Sequence, residues 1–430
     1  MRKKIAIVTL FFLLTVSYTA VSQKQLNSPY ARFNIGSLEP QGSFKSRAMG
    51  GVGIALRDNN SIHYINPASY SSLDTNSFSF DFGVDFGINS LKQGDNKYST
   101  NDMNFNHLMI GFPITKKWGV ATGIVPVSHG FYNIYNSVFE DDDSENGYYL
   151  DYRGNGGFSN FFLGTGVNIL KNLSLGANMS IMFGSLNRIH RLIFQDIENS
   201  FYTTIEENIK ISGINFEYGL QYAAKLKNNN FINAGFTLVS EKSYKSRYEY
   251  FAYMSSGYNY NQDTLDYVSQ VAAPVKLPQM YKAGVAFGKQ NKFTVAFDFV
   301  ATPWSKSDIP GYKDYVANTK TYALGVEYIP EKFSNSSILK RTEYRFGVHF
   351  GDNYLRLKVD DIDDKYCQLE EIGVSFGLGI PLRRNYPFSS FNFFVDYTQK
   401  SGSGLHSENV TTIGASLNFY DFWFFKRRYN

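Results

Sequence analysis

Hydrophobic and polar positions alternate with a period of two along most of this 430-residue chain. In "SFSFDFGVDFGI", the apolar set Phe78, Phe80, Phe82, Val84, Phe86 and Ile88 falls on one face, and Ser77, Ser79, Asp81, Gly83, Asp85 and Gly87 fall on the other. Side chains alternate across a strand, so the stretch reads as β. The same period returns from Phe293 to Phe299, Tyr322 to Tyr328, Tyr344 to Phe350 and Ile372 to Ile380. The pattern predicts about fourteen strands, near 76–88, 104–113, 117–128, 157–170, 173–187, 210–225, 230–244, 275–288, 292–304, 318–329, 341–352, 367–381, 389–399 and 409–420.

The connections predicted between them alternate in length. Short ones fall at Thr115–Lys117, Lys171–Asn172, Lys227–Asn230 and Lys289–Asn291, with somewhat longer ones near Pro330–Lys340 and Leu382–Ser389. Long polar loops are expected near 89–103, 129–156, 188–209, 245–274, 305–317, 353–366 and 400–408. An even number of strands with short turns at one end and long loops at the other is the signature of a transmembrane barrel, with periplasmic turns and extracellular loops. The expected fold is therefore all-β, a closed antiparallel β-barrel of about fourteen strands over residues 76–420. Lipid takes the Phe-rich face and the lumen takes the small and polar one, where Asp81, Asp85, Asp298, Glu327, Arg345, His349 and Asp396 are expected. Glu327 and Arg345 flank the Pro330–Lys340 turn and are expected as an ion pair in the lumen near the periplasmic rim.

Composition sharpens this picture. Aromatic residues make up 17% of the chain, with 38 Phe and 32 Tyr, yet beyond the first residues no apolar run is long enough for a membrane-spanning helix. Residues 1–22 read as a signal peptide, with Arg2, Lys3 and Lys4 before an apolar stretch and small residues before Gln23. Without it the formal charge falls from +4 to +1, which gives no case for nucleic acid. Cys367 is the only thiol, so no intrachain disulfide is expected.

No catalytic motif emerges: there is no GxSxG elbow, no P-loop and no HExxH among the six His residues. Neither an enzyme, a cofactor nor a metal site is expected. The acidic runs Glu140–Glu145 and Asp360–Asp364 lack the spacing of a calcium loop and read as solvated loop tips. The Tyr-rich stretch Tyr244–Tyr267 is a candidate landing or partner surface. Residues 421–430, with Trp423, Phe424 and Phe425 before Lys426, Arg427 and Arg428, read as an aromatic and basic tail.

Residues 23–75 are left over from the barrel. Within "RAMGGVGIALRDNNSIHYINPASYSSL", Gly50, Gly51 and Gly53 permit sharp bends, Asp58 and Ser61 form an Asp-x-x-Ser element, and Asn66-Pro67-Ala68 suits a tight turn. This stretch resembles the N-terminal plug of the FadL/TodX family of outer-membrane transporters of hydrophobic compounds. "NSPYARFNIGSLEP" is similar to the start of mature barrels in the Bacteroidota branch of that family. The resemblance implies a hatch in the lumen, built on the eight residues just named. It also implies a lateral opening at a kink in the third strand, where Gly123, Pro126 and Gly130 fall.

What the resemblance implies for function is uptake of hydrophobic compounds such as long-chain fatty acids across the bacterial outer membrane, with hydrophobic small molecules and membrane lipid as partners. Some barrels of this kind are instead non-transporting subunits of outer-membrane machines, including the type IX secretion apparatus. For such a role a protein partner is expected.

Overall fold

The computed structural model describes residues 28–93, 96–139, 147–194, 201–256, 262–309, 311–360, 365–382 and 389–422. The signal segment, the acidic run Glu140–Glu145, most of the second acidic run and the tail from Trp423 onward lie outside the described residues.

Fourteen antiparallel strands close into one barrel. In chain order they are β1 (Ser77–Gln93), β2 (Asn96–Thr115), β3 (Trp118–His129, continued by Tyr132–Phe139), β4 (Gly147–Leu170), β5 (Leu173–Phe194), β6 (Phe201–Lys225) and β7 (Asn230–Val239, continued by Lys242–Ser256). β8 runs in three pieces (Gln262–Ala272, Val275–Leu277, Met280–Lys289), followed by β9 (Phe293–Thr302), β10 (Thr319–Tyr328), β11 (Glu343–Asp360), β12 (Lys365–Pro381), β13 (Ser390–Ser401) and β14 (Ser407–Phe422). β14 pairs with β1 from Ser407↔Lys92 to Phe422↔Ser77, which closes the sheet on itself.

The alternation decides which face is which. On β1, Ser77, Ser79, Asp81 and Asp85 are buried while Phe82 and Ile88 are exposed. Phe161, Leu163, Val285, Phe287, Phe346, Phe350, Val374 and Phe376 are likewise exposed around the outer surface. An apolar girdle of this extent is tolerable only against lipid. The expected lumen carboxylates Asp81, Asp85, Asp298, Glu327 and Asp396 are all buried inside.

The strand count stands, but the long loops are corrected. Most of 89–103, 129–156, 188–209 and 245–274 is strand: β6 alone has 25 residues, roughly 80 Å at the usual rise per residue, against about 9–11 residues needed to cross a bilayer. Beyond the membrane the outer face of a strand meets water instead of lipid and no longer needs apolar side chains, so the alternation fades although the ladder continues and the inner face stays buried at Arg188, Ile209 and Tyr253. The described residues of the Tyr-rich stretch, 244–256 and 262–267, are accordingly the upper part of β7 and the start of β8. On β2 the register shifts at the bulge beside Gly83, so His107 opposes Gly83 while Phe105 opposes Val84, and inward and outward positions exchange parity there.

Residues 28–76 lie inside this wall. They form a 3₁₀ turn (Pro29–Arg32), a two-residue strand (Ser37–Leu38), a helical turn (Phe44–Arg47) and a second 3₁₀ turn (Pro67–Ser72). Met49, Val52, Ile62 and Ala68 have no solvent exposure at all. Met49, Val52, Ala55 and Leu56 pack with Ala286 of β8 and Ala296 of β9, and Ile62 and Tyr70 pack with Met109, Ala121 and Phe162 of β2, β3 and β4.

Candidate functional site: the filled lumen and the third-strand seam

The N-terminal segment fits because the inner wall is stripped of side chains where it passes. A Cβ on Gly347 would overlap the Gly50 amide, one on Gly176 would overlap Pro67 and Ala68, and one on Gly219 would overlap the Asn66 side chain. Gly119, Gly166, Gly235 and Gly325 meet the segment's backbone in the same way. These wall glycines were missed from sequence. Their signal was the regular Gly on the polar face of strand after strand, which marks close backbone approach.

Gly50 and Gly51 both adopt positive φ, at 71° and 88°, which turns the chain sharply after the helical turn. The Gly50 amide donates to Ser375 Oγ of β12 at 2.8 Å. The amides of Gly53 and Ile54 both donate to Asp298 Oδ2 of β9, at 2.6 and 2.9 Å. Asn66 caps the second 3₁₀ turn by accepting from the Ala68 amide at 3.1 Å, and its Nδ2 donates to the Ile54 and Leu220 carbonyls at 2.9 and 3.2 Å. Pro67 and Ala68 lie against β5 and β6. Ser61 faces the opening at the short-turn end.

Asp58 ties the segment to the wall through charge. Lys45 Nζ lies 2.8 Å from Asp58 Oδ2 and 3.1 Å from Glu327 Oε2, and His63 Nε2 lies 2.8 Å from Asp58 Oδ2. Glu327 in turn accepts from Arg345 Nε at 2.8 Å, and Arg345 also reaches Asn392 at 2.8 Å and Glu343. Burial alone would raise the Asp58 carboxyl, but Lys45 and His63 overcome it and hold it well below the usual range. Burial acts to lower the Lys45 ammonium, and Asp58 and Glu327 reverse that and raise it. Two residues further on, Arg47 pairs with Asp85 of β1 at 2.8 Å and lies 4.7 Å over the Phe394 ring of β13.

The third strand carries a seam. Its ladder with β2 runs from Thr115↔Trp118 to Leu108↔Ile124 and ends there. Above that point β2 continues paired to β1 only, while β3 continues paired to β4 through Pro126↔Ser159, with a register shift before Ser128↔Phe158. Gly123 is the last residue but one within the double ladder, Pro126 stands where β2 has left, and Gly130 falls in the break between the two pieces of β3. Pro has no amide to offer a ladder, which suits an abandoned edge.

The vacated edge of β3 is taken from inside. Ser37 pairs with His129 and Leu38 with Ser128, the Glu39 amide donates to the Val127 carbonyl at 2.9 Å, and the Ser28 amide donates to the Phe131 carbonyl at 3.3 Å. Ser128 Oγ donates to the Ile35 carbonyl at 2.7 Å, and His129 Nδ1 meets Glu39 Oε1 at 2.7 Å. Burial would raise Glu39, yet the His129 bond and nearby Arg47 and Lys400 lower it.

Two cavities flank the N-terminal segment. One of about 410 Å³ lies toward the long-loop end, between Ile35, Leu38, Pro126, Phe162, Trp304 and Tyr354. The other, of about 1000 Å³, opens at the short-turn end and is mostly polar. Among the described residues no group of three or more His, Cys, Asp or Glu side chains is arranged to hold a metal ion.

A closed fourteen-stranded barrel with residues 28–76 folded inside defines the class: the fold is that of the FadL-like outer-membrane channels. The CymD monoaromatic hydrocarbon channel superposes with a TM-score of 0.52 at 16% identity, covering 90% of this chain and 99% of its own. A FadL homologue of Pseudomonas aeruginosa gives 0.56 at 12% identity (90% and 98% covered), and the Pseudomonas putida toluene transporter TodX gives 0.53 at 17% (91% and 100% covered). At these identities the likeness is one of fold. No curated protein matches the chain. The BamG family model matches residues 1–430, and the chain belongs to the BamG family.

Proposed function

We propose that this protein is an outer-membrane barrel that keeps the architecture of the hydrophobic-compound channels but serves as a non-transporting subunit of an outer-membrane protein machine. The observation that carries this reading is the covered edge of β3: where β2 leaves β3, the Ser37–Leu38 strand and its flanks pair with the edge of β3 from inside, and the rest of residues 28–76 is held in the lumen through buried ion pairs. A lateral exit and an axial pore are thereby both obstructed by one segment. Membership in the BamG family over the whole chain, against at most 17% identity to the channels compared above, supports the same reading, and a name in the Bam series fits a protein that works with partners. In this role residues 23–75 are a fixed plug rather than a moving hatch.

The test is native purification from membranes in a mild detergent, followed by mass spectrometry of proteins and small molecules in the same sample. A stoichiometric protein partner and an empty barrel are expected. A bound apolar compound with no stoichiometric protein would overturn the reading.

A second reading is favoured by the cavity of about 410 Å³ beside Pro126, which is of a size to hold a small hydrophobic molecule. In it, hydrophobic compounds such as fatty acids enter from the extracellular loops, the hatch shifts around Gly50, Gly51, Gly53, Asp58, Ser61 and Asn66-Pro67-Ala68, and the cargo leaves between Gly123, Pro126 and Gly130.

A further inference from the structure

The cavity at the short-turn end has a lopsided charge. Its lining includes Lys171 in the β4–β5 turn, Lys225 at the end of β6, Lys289 and Lys292 around the β8–β9 turn, and Lys332 in the β10–β11 turn. Its carboxylates are Asp58, Asp74, Glu327 and Glu343. Each of these four is already engaged: Asp58 by Lys45 and His63, Glu327 and Glu343 by Arg345, and Asp74 by Asn59 Nδ2 and the Tyr420 hydroxyl, both at 2.8 Å. Among the described residues none of the five lysines lies within 4 Å of a carboxylate. Lys292 donates to the Pro330 carbonyl at 2.6 Å and keeps its charge uncompensated.

Arg57 of the N-terminal segment adds a further cation to the same lining. Arg57 is held only by neutral acceptors: Gln221 Oε1 at 3.1 Å, Ser71 Oγ at 2.9 Å and Asn168 Oδ1 at 2.8 Å, with the Ala68 carbonyl further off. Burial with no paired anion draws its guanidinium down to about 10. The concave walls focus the field of these groups on the space they enclose, so an anion entering it is attracted more strongly than at a flat basic surface.

We infer that this vestibule is a docking site for an acidic segment of a periplasmic protein. The lysines stand on four different turns and point into one cavity of about 1000 Å³, a volume suited to a short extended peptide or loop rather than to a bilayer surface, which is flat and lies outside the barrel wall. The polar lining, rich in Asn59, Asn60, Asn172, Asn229, Asn230 and Asn291, supplies amide groups for a backbone at the same place. The inference rests on the reading of the chain as a machine subunit and gives its partner a chemistry: acidic, extended and approaching from the short-turn side.

The test uses the full chain in neutral phosphatidylcholine nanodiscs, titrated with a fluorescent oligoglutamate peptide and with oligoglutamine as control. Oligoglutamate is expected to bind with an affinity that falls steeply with salt, and the triple variant Lys171→Glu, Lys225→Glu, Lys289→Glu is expected to weaken it by about tenfold or more. The matched variant Lys116→Glu, Lys117→Glu, Lys227→Glu changes the charge equally at turn residues outside the cavity lining and is expected to leave binding unchanged. Absence of oligoglutamate binding by the wild type, equal loss in both variants, or displacement of the peptide by anionic phosphatidylglycerol nanodiscs, which would assign the lysines to headgroups, would each overturn it. Native purification separates this from the broader reading. If a stoichiometric partner stays bound to the Lys171, Lys225, Lys289 variant, the subunit role stands and the vestibule assignment fails. If the wild type binds oligoglutamate yet purifies alone, the reverse holds.

Discussion

Lys45, on the helical turn inside the lumen, lies 3.1 Å from Glu327 on the barrel wall and shares its ammonium with Asp58 of its own segment. One cation thus joins the plug to β10 and, through Glu327 and Arg345, to β11. Removing it leaves Asp58 and Glu327 buried with less compensation, and uncompensated buried charge is the expensive case. Lys45→Met is expected to loosen the plug by about 3 kcal/mol while the barrel ladder stays intact. Limited proteolysis should then cleave within residues 44–72, with the heat-modifiable shift of the barrel on gels unchanged. A plug as resistant as wild type would show that Lys45 does not anchor it.

The same cluster sets a pH window. Asp58 is held below the ordinary carboxylate value, so its contribution is present above the unfolded pKa of about 3.9 and is lost as pH falls through the lower folded value. Lys45 is raised, so its contribution is present below the unfolded value of about 10.4 and is lost as pH rises through the higher folded value. Anchoring is expected to be greatest between about pH 4 and 10. Hydrogen exchange of the 50–70 amides checks this: protection should fall first in strong acid, and Asp58→Asn should lower it at neutral pH and flatten the acid limb.

Gly50 and Gly51 separate two kinds of glycine requirement. Both have positive φ, but a Cβ on Gly50 would come within 2.7 Å of the Val348 carbonyl, whereas a Cβ on Gly51 meets nothing within 4 Å. Gly51→Ala is expected to cost only the left-handed backbone term, about 1–2 kcal/mol. Gly50→Ala adds a collision with backbone that cannot move aside, and should displace the plug from β11. Thermal unfolding in detergent should place Gly51→Ala near wild type and Gly50→Ala well below it.

The barrel was legible because lipid imposes a strict period of two: the parity that put Phe82 outside and Asp85 inside needed no tertiary information. The upper halves of β5, β6 and β7 were not, since water in place of lipid on the outer face removes the period, and Arg188–Arg191 of β5 read as loop although Arg188 is buried. The asparagine, proline and alanine at 66–68 flagged a turn in the plug, and the cap on Ala68 is local chemistry. Asp298 as the acceptor for two plug amides was invisible, because nothing in the sequence links positions 53–54 to 298. The same holds for Ser37–Leu38: two residues are too few for a periodic signal, and their strand exists only because β2 leaves β3 at Ile124.

That borrowed pairing supplies the sharpest separation between a fixed plug and a moving one. Leu38 and Ser128 are direct register partners, and opposed residues in an antiparallel pair lie close enough for a disulfide. With Cys367→Ser to remove the native thiol, the double variant Leu38→Cys, Ser128→Cys is expected to cross-link on oxidation and bind the N-terminal segment to β3 covalently. A subunit whose plug is structural should keep its protein partner and its cellular role unchanged in the oxidised form. A conduit that releases cargo past Pro126 needs this edge to clear, so its uptake of apolar compounds should stop on oxidation and return on reduction. Growth and partner co-purification that are indifferent to the cross-link, alongside unchanged entry of hydrophobic compounds, would assign the seam to architecture. Reversible loss of uptake would assign it to transport.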